Sequence, residues 1–168
     1  MGGKGTPFAL QAAPAEGAGD VDAVRYDGPH GPIAIPLRQE PDRTRVVAPG
    51  FEAEVDWGMG RRDVSALKDG VAARIGGRRL RVRRSGGLSR EGRAIRLEDD
   101  GHTVSLLRLR GAGGEFSLER ADGERVGGLK RKGLAGWLAD DAGPDDVAFL
   151  LLAQASGLTF QLSLRLAP

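Results

Sequence analysis

The chain has 168 residues, 40% of them hydrophobic and 29% charged, with a formal net charge of +2; this is the composition of an ordinary globular protein, read as one domain over 1–168. It has no cysteine and only two histidines, which excludes disulfides, thiolate chemistry and cysteine zinc sites and leaves too few imidazoles for a multi-histidine metal centre. Glycine (27) and proline (9) are abundant, which disfavours long helices and argues for short strands joined by turns.

Residues 1–5 read as a disordered start. Their Met-Gly-Gly-Lys-Gly-Thr sequence continuing into Thr6 meets the loose myristoylation pattern, which a bacterial source would leave unused. Strands are expected over 6–12, 21–26, 32–37, 45–47 and 51–57. In 51–57, Phe51, Ala53, Val55 and Trp57 alternate with Glu52, Glu54 and Asp56, giving one dry and one wet face. Residues 61–68 fit either a short helical turn or an irregular connector. Further strands are expected over 71–75, 79–84, 91–98, 102–110, 115–120, 125–131, 134–139 and 158–166. Asp100-Gly101 and Asp122-Gly123 mark two hairpins of the type I′ kind, because Asp-Gly supplies the positive φ angles that this turn needs.

One segment breaks the strand pattern. Pro144 fits the first helical position, Asp145 and Asp146 fall in the first turn, and Gly157 fits the residue just past the end. Between them, 147–155 is apolar on every side except Gln154, so a helix over 144–156 belongs inside the protein. The fold expected is all-β with one buried helix: a closed or nearly closed antiparallel barrel of about a dozen strands around a hydrophobic helix near the C-terminus. The longest apolar run, 147–153, is too short to span a bilayer, and with no signal-peptide pattern the expectation is a soluble, cytoplasmic protein.

The strand, Asp122-Gly123, strand and basic end over 116–132, followed by the greasy helix over 145–156, resemble the tubby-like group, which includes the LURP-one-related and scramblase-like proteins. The resemblance covers 71–157. It implies a closed barrel wrapped around a central hydrophobic helix, and some members of that group bind phosphoinositide headgroups. A strand after the helix and the absence of the animal tubby C-terminal signature depart from the pattern.

Charge is uneven. Between 71 and 97 there are nine arginines against Glu91 alone, a patch whose summed field attracts anions. Alternation puts Arg79, Arg81 and Arg83 on one strand face opposite Leu80 and Val82; Arg96 opposes Ile95 and Leu97, and Arg108 and Arg110 oppose Leu107 and Leu109. If these strands are neighbours, the guanidinium groups line one outer face and can grip phosphate bidentately. The plainer reading is a solvated exterior in an arginine-rich, GC-biased bacterial protein, with Glu52, Glu54 and Asp56 as internal neutralisers.

Nucleic acid is disfavoured as a partner, because 71–97 contains no aromatic platform. His30 and His102 sit at turns without a nucleophile beside them, and Trp57 and Trp137 read as packing in the barrel core or at its end. No catalytic set, metal site or cofactor loop is identified. The function expected is a non-catalytic binding or interaction module that recognises an anionic ligand, such as a phosphorylated molecule or lipid headgroup, through the arginine face. The alternatives are a structural or protein-interaction subunit with no small ligand, and a hydrolase whose site is assembled from distant carboxylates.

Overall fold

The structure, a computed structural model, describes residues 5–13, 23–28, 30–36, 43–48, 51–56, 64–84, 94–110, 115–130 and 135–155. In chain order the elements are β1 (Gly5–Ala13), β2 (Ala23–Tyr26), β3 (Ile33–Pro36), β4 (Arg43–Ala48), β5 (Phe51–Asp56), α1 (Val64–Asp69), β6 (Val71–Ile75) and β7 (Arg78–Arg84). They continue with β8 (Ile95–Asp99), β9 (His102–Arg110), β10 (Glu115–Arg120), β11 (Arg125–Leu129), β12 (Ala135–Ala139) and α2 (Pro144–Ala155). Strand β1 begins inside the stretch read as a disordered start. The expected strand over 158–166, Gly157 and Trp57 lie outside the described residues.

Each strand pairs antiparallel with its sequence neighbour, and β1 closes on β12, so twelve strands form a barrel with no free edge. Eight strands are just wide enough for side chains to fill the interior; twelve leave a larger bore. An α-helix with its side chains is about 10 Å across, and α2 fills that bore. It touches β4, β5 and β6 on one side and β11 on the opposite side of the ring. Asp146 through Ala153 are all buried, which is what an apolar cylinder inside a closed wall requires.

The wall obeys the two-residue alternation of strands. In β6, Val71, Ala73 and Ile75 point inward and Ala72 and Arg74 outward; in β7, Leu80, Val82 and Arg84 are buried while Arg79, Arg81 and Arg83 are exposed. Gly136 on β12 is needed for closure: a Cβ there would collide with the Gly128 carbonyl oxygen and crowd the Phe8 ring.

The two Asp-Gly hairpins differ. Between β8 and β9, Asp100 (φ 49) and Gly101 (φ 81) are both left-handed, the type I′ geometry expected. Between β10 and β11 only Gly123 is (φ 89), and the Arg120 N–H donates to the Glu124 carbonyl at 2.8 Å across a longer loop. Ala121 adds a residue, so a single left-handed glycine suffices, and the register shifts between Leu118 and Glu119. Of the ambiguous 61–68 segment, 64–68 belong to α1 and 61–63 lie outside the described residues; Leu67 of α1 is buried and Gly70 (φ 91) follows its end.

Candidate anion-binding face

Strand register turns the arginine pattern into a surface. On the outer wall, Arg74 of β6 lies directly opposite Arg79 of β7, Arg81 opposite Glu98 of β8, and Arg83 opposite Arg96 of β8. Arg74, Arg79, Arg81, Arg83 and Arg96 are all exposed. None of the five has an ion pair with an acid among the described residues. Facing residues of like charge are destabilising in a sheet, so two of these three rows carry a repulsion that the fold tolerates.

The expected neutralisers reach only the β6 side of this face. Glu52 lies 3.4 Å from Arg45 and Glu54 3.9 Å from Arg43, both on β4. Glu54 also faces Arg74 in the ladder, and a shallow hollow of about 260 Å³ opens there, bordered by Glu54, Asp56, Arg74 and Arg79. The acidic residues of β5 therefore balance β4 and the near side of β6, and leave β7 and β8 with a cationic surplus.

Of the other expected site residues, Arg108 is half-buried with its Nε 3.3 Å from the Glu119 carboxylate, whose side chain is only 4% exposed. It lies diagonal to Arg96, since Arg96 faces Leu106 on the same strand, and its charge is engaged. The side chain of Arg110 lies outside the described residues. Four of the six, Arg79, Arg81, Arg83 and Arg96, thus form one continuous exposed face.

A second arginine group, which the local pattern does not reveal, gathers where α2 enters the barrel. Arg78 reaches Asp99 and Asp145 at 2.7 Å each. Its hydrogen bond to Asp99, then the charges of both aspartates, raise its pKa despite partial desolvation. Arg120 bonds Glu124 at 2.9 Å and Asp141 at 3.2 Å and lies 3.5 Å from Asp146. Burial alone would lower its pKa, but these three acids outweigh it and the net shift is upward. Stability from a raised arginine is lost only as pH rises through that raised value, so both arginines stay charged against their acids through the whole neutral range.

Asp146 also accepts the Gly143 N–H at 2.9 Å, the backward reach of a third-position acid to the helix cap. The exposed His30 joins the same end, its Nε2 2.8 Å from the Ala142 carbonyl oxygen. A cleft of about 480 Å³ beside this cluster is lined by Arg120, Asp122, Asp141, Asp145 and Asp146 among others, but among the described residues no three acids or histidines come together so as to hold a metal ion.

Trp137, expected as packing in the core or at a barrel end, is half-buried on β12 facing Gly128 of β11 and packs against the core. Its indole N–H donates to Glu115 at 3.2 Å and Arg125 stacks 5.1 Å from its ring centre. Its polar neighbours belong to the outer wall.

Comparison with known proteins finds no matching family model, no matching curated protein and no matching solved structure. Among the described residues no helix is long and apolar enough to cross a membrane.

Proposed function

We propose that the protein is a non-catalytic binding module that takes an anionic ligand on the outer wall of β7 and β8. The observation that carries this reading is the exposed set Arg79, Arg81, Arg83 and Arg96, which has no acid ion-paired to it among the described residues. Guanidinium groups present planar forks that match phosphate and carboxylate oxygens. Closure of the wall and the apolar helix in the bore favour the outer surface for this role, and the resemblance to tubby-like domains supports the same class of ligand.

The carboxylates near α2 support anchoring rather than hydrolysis, because Asp141, Asp145 and Asp146 are engaged by Arg78 and Arg120. The test is co-sedimentation with vesicles of phosphatidylglycerol against vesicles of phosphatidylcholine. Binding to the anionic vesicles at low salt, weakening as salt rises, is the expected result. An Arg81→Glu, Arg83→Glu variant should lose it while remaining folded. Wild type that ignores anionic vesicles at low ionic strength contradicts the proposal.

A further inference from the structure

Within the arginine face one row differs from the others. Arg83 and Arg96 are direct cross-strand partners, a position where Cβ atoms stand about 4.5–5.5 Å apart. The Arg83 Nε donates to the Lys68 carbonyl at the end of α1 at 3.3 Å. That bond fixes one edge of the guanidinium and leaves its two Nη groups for another acceptor. The row continues through Leu106 to Glu119, and Glu119 is already held by Arg108. The other facing pair, Arg74 and Arg79, has Glu54 directly on its flank. Arg81 faces Glu98. Among the described residues only the Arg83–Arg96 row pairs two positive charges with no free carboxylate in line.

We infer that Arg83 and Arg96 form a fork for one phosphomonoester dianion. This rests on the anionic-ligand reading and names the chemistry of that site. A phosphomonoester carries about −1.5 to −2 at neutral pH, with a second pKa near 6, and offers three acceptor oxygens. Two facing guanidiniums match that charge, whereas a phosphodiester offers a single negative charge and leaves the repulsion between them half-compensated. The neighbouring charged groups are Lys68 and Asp69 at the end of α1 and Arg81 and Glu98 one row along.

The experiment compares vesicles containing phosphatidic acid, a monoester, with vesicles containing phosphatidylglycerol, a diester, at equal mole fraction and ionic strength. At pH 7.5 the protein should bind the monoester vesicles about tenfold or more tightly, the effect of one further charge-assisted hydrogen bond. That preference should fade as pH falls below about 6 and the phosphate takes up its second proton. An Arg83→Lys, Arg96→Lys variant keeps the charge but loses the forks, so it should retain phosphatidylglycerol binding and lose the preference.

Calorimetry with phenyl phosphate separates the two sources of the group. Binding of phenyl phosphate marks a free phosphomonoester as sufficient, while binding of phosphatidic acid vesicles alone marks a headgroup held at a surface. Equal affinity for both lipids at pH 7.5 overturns the inference and leaves the proposed function standing. Failure to bind either vesicle or phenyl phosphate overturns both.

Discussion

Arg78 and Arg79 are neighbours in the chain and have opposite surroundings. Arg78 holds Asp99 and Asp145 at 2.7 Å each and so ties the β6–β7 turn to β8 and to the first turn of α2. Arg79, one residue on, faces another arginine across the strand pair and has no acid partner among the described residues. The same contrast separates Arg120, with three acids around it, from Arg81, Arg83 and Arg96. Where the apolar helix enters the barrel, arginines neutralise carboxylates and hold the helix in register. On the outer wall Arg79 faces Arg74 and Arg83 faces Arg96, an arrangement of like charges that costs stability.

The largest way to break this division is to put a charge where neither arrangement can serve it. Leu151 is fully buried within the barrel. Leu151→Asp should abolish folding, since an unpartnered buried charge costs about 3–5 kcal/mol or more, a large part of the total stability of a domain. A circular-dichroism spectrum that keeps its native strand signal and a cooperative thermal transition would mean that α2 is not enclosed.

A middle effect comes from the helix mouth. Asp146 accepts the Gly143 N–H and lies beside Arg120, so Asp146→Ala removes a cap and an ionic contact together. The expected loss is about 1–2 kcal/mol in a denaturant titration; an unchanged midpoint would make the contacts around Arg120 incidental.

The smallest effect carries the opposite sign. Arg96→Glu puts a carboxylate directly opposite Arg83 and should raise stability by about 0.2–1 kcal/mol while weakening anion binding. A gain in thermal midpoint accompanied by a loss of vesicle binding would show that the wall trades stability for its charge. Destabilisation would show that Arg83 and Arg96 do not oppose one another.

The barrel is legible in the sequence because its signals are local. The Asp100-Gly101 turn, the alternation of Arg79, Arg81 and Arg83 with Leu80 and Val82, and the apolar run behind Pro144 each report within a few residues. What the sequence conceals is long-range. Arg78 finds Asp145 at a separation of 67 residues, and the alternation that sets Arg78 apart from Arg79 says nothing of that distant partner. Arg108 looks like a member of the exposed face, but Glu119 on the next strand claims it. Even the Asp122-Gly123 hairpin shows the limit, because the turn type depended on Ala121 joining the loop and not on the Asp-Gly pair. The strand alternation places a charge inside or outside, and only register decides whether it has a partner.

The division between engaged and unengaged arginines is tested most directly by phenylglyoxal labelling at low salt, read residue by residue in peptide mass spectra. The account predicts rapid modification of Arg79, Arg81 and Arg96 and slow modification of Arg78 and Arg120. It further predicts that anionic vesicles protect the wall arginines and leave the labelling of Arg78 and Arg120 unchanged. Equal reactivity of Arg78 and Arg79, or wall arginines that label at the same rate with and without anionic vesicles, would contradict it.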